Sequence, residues 1–246
     1  MRSVLIVGAS GEIGTQLSQR LSDRYSLRLA DRRPPASGTP TLEFDVADLD
    51  AYTAACEGVD TVVHLAADRS PDATWEELLP ANVVGAYHAF EASRRAGCRR
   101  VVFASSVHTG TGYPDDVQLR TEMPTRPGNL YGATKVWGEA VARVYADQHG
   151  LSCVCLRIGW AGSRDDRRRL DVDQAPTVYL TYEDAAGVFA ACIDAPDDLR
   201  FGIFYATSAN RVARVDLTDT QDVLGYCPRD DAFALREALA GESNDA

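Results

Sequence analysis

The chain of 246 residues is short of lysine: of its 25 basic residues 24 are arginine, and Lys135 stands alone. Bases of either kind are outnumbered by 36 Asp and Glu, for a formal net charge of -11. A chain so acidic lacks the cationic face that binding through a phosphate backbone or an anionic membrane requires. No nucleic-acid or membrane partner is therefore expected. Long apolar runs are missing too, none approaching the roughly 20 residues of a membrane span. Met1-Arg2-Ser3 leads straight into Val4-Leu5-Ile6-Val7 without a signal-peptide pattern, so a cytoplasmic location is expected. The six cysteines, Cys56, Cys98, Cys153, Cys155, Cys192 and Cys227, form no CxxC pair and no zinc spacing with His. They read as reduced, buried, small apolar residues, and no metal site is expected. A chain of this length buries roughly three-quarters of its unfolded surface and needs no staple. One domain over residues 1–246 is expected.

Short β-branched apolar runs at 3–7, 27–30, 41–44, 61–65, 100–104 and 152–158 alternate with helical patterns. Near-continuous apolar strands separated by helices indicate a parallel sheet covered on both faces, an α/β doubly wound fold. Residues 32–40 read as a turn-rich connection and 241–246 as a frayed tail. After residue 158 the regularity fails. Helical patterns are expected at 182–193, 216–224 and 231–239, with a strand at 201–206. Segments 159–182 and 208–240 are expected to form a small C-terminal region covering the substrate, because late irregular segments lie over the carboxyl ends of the strands.

Gly8-Ala9-Ser10-Gly11-Glu12-Ile13-Gly14 follows the first strand and opens a helix. A tight turn at Gly8, close backbone approach at Gly11 and close helix packing at Gly14 suit a pyrophosphate held on a helix N-terminus, with Ser10, Glu12 and Ile13 counted in the same turn. Asp31 ends the second strand 23 residues past Gly8, near the offset at which a carboxylate accepts from the adenosine ribose hydroxyls. NAD is expected over NADP, because Asp31 would repel a 2'-phosphate, although Arg32 and Arg33 offset this in part. Asp45 with Val46 suits either the adenine amine or a helix start, for which Asp48 is the better-placed cap.

Tyr131 and Lys135 stand at i and i+4 on one face of the helical pattern 131–149. A phenol titrates near 10, so work as a base near neutral pH calls for an adjacent cation, which Lys135 is expected to supply. Strand 100–104 runs into Ser105-Ser106, where Ser106 can hold a substrate oxygen for Tyr131. Asn82, near the start of a helical pattern at 81–96, serves either as a link from Lys135 to solvent or as a helix cap.

These residues resemble the short-chain dehydrogenase/reductase superfamily, in its extended, NAD-dependent epimerase/dehydratase-like branch. The resemblance rests on the glycine turn, Asp31, Asp45-Val46, His64-Leu65-Ala66-Ala67, Asn82, Ser105-Ser106, the YxxxK of Tyr131 to Lys135, and Leu224-Gly225-Tyr226 with Pro228. It implies a Rossmann-type sheet, Ser106, Tyr131 and Lys135 as catalytic residues with Asn82 as relay, and Leu65, Ala66, Ala67 and Ile158 beside the cofactor. It also implies a homodimer or higher homo-oligomer through helices 81–96 and 131–149.

Only 111 residues follow Lys135, too few for the lobe that holds a nucleotide-sugar. Val107-His108 replaces the acidic pair of the branch's dehydratases, so elimination is not expected. The stretches FASSVHT, RPGNLYGATK, ArgIleGly at Arg157 and SerAlaAsn at Ser208 are most similar to uronate dehydrogenases and related sugar dehydrogenases. That likeness implies oxidation of a secondary, anomeric hydroxyl of an unactivated sugar or sugar acid. Ser70, Ser106, Val107, His108, Tyr131, Trp160 and Arg169 are its substrate side, with Arg169 pairing an anionic group through its planar fork. Alternatively SRDDRRR is a self-neutralising exposed loop. Uronate dehydrogenases carry Asn at the position of Val107 and Ser at that of Trp160, so the pocket here is expected to be less polar. A deoxysugar, a cyclic alcohol, or an aromatic ketone stacked on Trp160 then enters, if Trp160 is not simply core. A ketoreductase or epimerase of a less polar metabolite is the alternative enzyme, and a non-catalytic NAD sensor the alternative class.

Overall fold

The computed structural model describes residues 1–35 and 38–242. The connection expected at 32–40 is described apart from residues 36–37, and residues 243–246 of the expected tail lie outside the described residues. Seven strands build the sheet: β1 Ser3–Val7, β2 Ser26–Asp31, β3 Leu42–Glu43, β4 Thr61–His64, β5 Arg100–Ser106, β6 Ser152–Ile158 and β9 Phe201–Ala206. Their order is β3-β2-β1-β4-β5-β6-β9, and every pairing is parallel. Successive side chains of a strand face opposite ways. In β1, Val4 and Ile6 therefore enter one core, with helices α1 Glu12–Leu21 and α8 Tyr182–Asp194. Leu5 and Val7 enter the other, with α2 Leu49–Cys56, α4 Gly85–Arg95 and α5 Leu130–His149. Two apolar faces per strand explain the unbroken apolar runs, and the architecture is the Rossmann-type sheet that was expected.

Several boundaries differ in ways that matter for the site. β5 continues through Ser106, so both serines are strand residues held by β6 pairing rather than turn residues. The helix expected at 81–96 begins earlier, with α3 Trp75–Leu78 capped reciprocally by Thr74 and Glu77, and passes through a π-helical segment, Leu79–Val84, into α4. Asn82 thus sits inside a continuous helical run, which excludes the helix-cap reading. Five of the cysteines are buried, whereas Cys227, in the connection after α9 Thr218–Leu224, is exposed. Among the described residues no helix is long and apolar enough to cross a membrane.

The C-terminal part adds a two-stranded parallel pair, β7 Trp160–Gly162 with β8 Tyr179–Thr181, and the short helices α6 Arg167–Leu170 and α7 Ala175–Val178. Helix α10, Ala232–Glu242, packs Ala232, Leu235 and Leu239 against Leu170 and Tyr179. It buttresses the segment from behind.

Candidate active site

Strand order reverses between β1 and β4, and there a cleft of about 1060 Å³ opens at the carboxyl ends of the strands. Gly8, directly after β1, has a φ of +90°, and a Cβ on it would stand 2.8 Å from the backbone nitrogen of Ala66. Only glycine lets the turn lie this close to the chain leaving β4. α1 starts on Gly11 with no capping side chain, so the N–H groups of its first turn have no side-chain acceptor. From the end of β2, Asp31 accepts from the Ser10 amide at 2.9 Å and from the Arg33 amide at 3.3 Å, which ties the strand to the turn. A bare turn, an uncapped helix start and a carboxylate beside them fit the pyrophosphate and ribose of NAD.

Of the residues expected to bind cofactor, Gly8, Gly11, Glu12, Ile13, Gly14, Leu65, Ala67, Tyr131, Lys135 and Ile158 line this cleft. Ser10, Asp31 and Ala66 stand behind it, bonded to or packed against the turn. Arg32 is exposed. Asp45 is exposed and accepts from the Ala47 amide at 2.9 Å, while α2 is capped by Asp48, which accepts from Asp50 and Ala51. Val46 is buried against Gly85.

β5 delivers Ser106, whose Oγ accepts from the His108 amide at 3.2 Å and is hydrogen-bonded to the Tyr131 phenol. The first turns of α5 deliver Tyr131 and Lys135. Burial pushes the phenol above its ordinary value, and the Ser106 hydrogen bond and the charge of Arg69 pull it back only in part. Lys135 is not among the groups that pull the phenol down. Its Nζ donates to the Ala104 carbonyl at 2.9 Å and lies 5.6 Å from the centre of the Tyr131 ring. Burial lowers Lys135 itself to about 8.

Asn82 is 2% exposed and fully committed. Its Oδ1 accepts from the Asp68 amide at 2.7 Å, and its Nδ2 donates to the Asp68 carbonyl at 2.8 Å and to Thr134 Oγ1 at 3.2 Å. These bonds clamp the loop after β4 to α5. On the substrate side, Ser70, Ser106, Val107, His108, Tyr131, Trp160 and Arg169 all line the cleft. Trp160 is 39% exposed, so it is not core. Arg169 belongs neither to a solvated loop nor to an open anion site, because its guanidinium is bonded to Glu12, to the Ala161 carbonyl at 2.5 Å and to the Tyr182 hydroxyl at 3.4 Å. Segment 159–182 supplies one wall of the cleft, whereas from 208–240 only Arg214 reaches it.

Two further placements were not anticipated. Asn129 caps α5, its Oδ1 accepting from the Gly132 amide at 2.8 Å, while its Nδ2 meets His108 Nδ1 at 2.9 Å. The signal was an Asn two residues before the helical pattern at 131–149. Glu139 accepts both arms of Arg157, at 2.8 and 2.9 Å, and the Ser105 hydroxyl at 2.6 Å. Glu139 follows Lys135 by another i+4 step on the same buried face, a spacing that could have revealed it.

Known proteins match this geometry over nearly the whole chain. The model of the NAD dependent epimerase/dehydratase family matches residues 4–173. An L-arabinose 1-dehydrogenase (NAD(P)(+)) of Haloferax volcanii is 33% identical, the alignment covering 96% of this chain and 100% of that protein. An NAD-dependent glucose-6-phosphate dehydrogenase of the same organism is 34% identical over 93% of this chain and 94% of its own. The crystal structure of a mutant uronate dehydrogenase from Agrobacterium tumefaciens complexed with NAD superimposes with a TM-score of 0.87 at 32% identity, covering 98% of this chain and 89% of that one. The chain belongs to the NAD dependent epimerase/dehydratase family and is an NAD-dependent enzyme.

Proposed function

We propose that the protein is an NAD-dependent dehydrogenase acting on a secondary hydroxyl of a small unactivated sugar, sugar acid or cyclic alcohol, the anomeric one where the substrate is a sugar or sugar acid. The observation that carries this reading is the convergence of Ser106, Tyr131 and Lys135 on the cleft that the glycine turn opens. Relatives named for arabinose, glucose 6-phosphate and uronate support a sugar, and they span neutral and anionic ones. Bound NAD supplies the hydride acceptor. Tyr131, as its phenolate, takes the hydroxyl proton of the substrate and becomes the phenol, Ser106 donates to the substrate oxygen, and Lys135 ties the first turns of α5 to the Ala104 carbonyl at the end of β5. Asn82 keeps the loop after β4 registered to α5, so the floor of the cleft moves with Tyr131 and Lys135.

Absorbance of reduced NAD, followed over a panel of aldoses, uronic acids and cyclic alcohols, tests the reading. Turnover of at least one sugar is expected. A less polar alcohol or ketone is the second reading, favoured by the apolar Val107 and the half-exposed Trp160 in the same wall. Silence on every sugar with turnover of such an alcohol would move the assignment there.

The protein acts as a homodimer through α4 and α5. Leu130, Trp137 and Val144 recur every seven residues along one stripe of α5 and are 51%, 45% and 45% exposed, beside the exposed Tyr87 of α4. A patch of this kind on two adjacent helices suits a self-complementary contact. Buried thiols with no disulfide among them suit a reducing, cytoplasmic setting.

A further inference from the structure

The arginines of the cleft, Arg69, Arg169 and Arg214, are matched to carboxylates, while Lys135 donates to the Ala104 carbonyl. Arg169 reaches from α6 to Glu12, the first residue of α1, and its Nε also stands 3.4 Å from Asp166 Oδ2. Tyr182 donates its hydroxyl to the same Glu12 oxygen. The second oxygen of Glu12 takes Nη1 of Arg69 at 2.6 Å. Across the cleft, Arg214 Nη1 lies 3.1 Å from Asp115. An acidic residue in the first turn of a helix is ordinarily a dipole partner on the surface. Glu12 instead has its side chain turned across the cleft, 27% exposed, between two arginines from different segments. Burial pulls its carboxyl up, but the bonds from Arg169, Tyr182 and Arg69 outweigh this and hold it down at about 2.

We infer that Glu12 is a specificity-determining residue: by occupying Arg169 it fits the cleft to a neutral aldose and closes it to a sugar carrying a carboxylate. The inference rests on the sugar dehydrogenase reading and names its substrate class. A uronate carboxylate would have to displace Glu12 from Arg169, or lie beside it as a second anion in a partly desolvated site, and like charges so placed repel strongly. A neutral ring meets no such barrier, and Trp160, Val178 and Leu119 on the cleft wall offer its C–H faces an apolar surface.

The test compares kcat/KM for D-glucuronate with D-glucose, and for D-galacturonate with D-galactose, at saturating NAD. Members of each pair differ only in the charged or neutral group at C6. The wild type is expected to favour the neutral sugar. Glu12→Gln is expected to raise the uronate-to-aldose ratio by tenfold or more, and a second substitution, Arg169→Gln, to abolish that gain. Because each ratio is taken on one preparation, weaker NAD binding or partial unfolding of a variant cancels. A wild type that already prefers uronates, or a ratio unmoved by Glu12→Gln, overturns the inference and leaves the dehydrogenase standing. Absence of turnover on every sugar overturns both.

Discussion

The side-chain amide of Asn129 donates to Nδ1 of His108, and this decides which edge of the imidazole can donate to a substrate. The amide orientation is set by the Gly132 amide, which donates to Asn129 Oδ1 at 2.8 Å and leaves Nδ2 at 2.9 Å from the ring. Burial holds His108 below its ordinary pKa, so at neutral pH it is an uncharged ring with its proton on Nε2. Asn129→Asp keeps the helix cap but replaces the donor with an acceptor. Nitrogen chemical shifts are expected to show the His108 proton move to Nδ1 and its pKa rise. Turnover is expected to lose through KM more than through kcat, since a substrate donor is lost while the catalytic residues stay.

On the proposed reading, Tyr131→Phe removes the group that takes the hydroxyl proton, with the aromatic ring and its packing retained. A loss of at least 10²- to 10⁴-fold in kcat is expected, with NAD affinity by titration within a few-fold of the wild type. Full activity in this variant would show that another group is the base.

The lowered pKa of Lys135 makes stability depend on pH with a definite sign. The folded group loses its proton near 8, whereas its ordinary value is 10.5. Between these two values the unfolded chain binds more protons than the folded one, so this group's contribution to stability rises with pH across that window. Below about 8 the full penalty of burying the cation applies, on the order of 3 kcal/mol for a shift of this size. Melting temperatures of wild type minus Lys135→Met are expected to become more favourable to wild type from pH 8 to 10. A flat difference across that range would show that the buried amine is not under this penalty.

Breaking the Glu139–Arg157 pair is expected to be costly, because both side chains are about 95% buried and each depends on the other. Arg157→Met leaves the carboxylate without its partner, and Glu139→Leu strands the guanidinium. Each is expected to lose 3–5 kcal/mol in denaturant titration, and the double variant much less than the sum. Since Glu139 also takes the Ser105 hydroxyl, the neighbouring Ser106 should shift, so any surviving single variant is expected to lose kcat as well.

What could be read from the sequence is what lies close along the chain. The glycine turn, the four-residue step from Tyr131 to Lys135, and the apolar strands each carry their reason locally, in backbone space or helix periodicity. Glu12 and Arg169 are 157 residues apart and meet only because α6 folds back over the start of α1. Read alone, Glu12 is a first-turn acid and Arg169 one of three consecutive arginines. The π-helical segment around Asn82 is invisible for another reason, since an apolar and polar pattern does not distinguish one wide turn from the α-helical turns beside it. Lys135 was legible as a cation near Tyr131, but not its direction, which the Ala104 carbonyl decides.

A chain with one lysine has one side-chain amine, and here that amine is enclosed and partly unprotonated. With a pKa near 8, about a tenth of Lys135 is a free base at neutral pH, far more than of an ordinary surface lysine. Within this sequence, acylating reagents small enough to enter the cleft therefore meet a single side-chain amine. Mass added at Lys135, and its suppression by dinucleotide, would report site occupancy without any substrate, from a natural single-site label in the floor of the cleft.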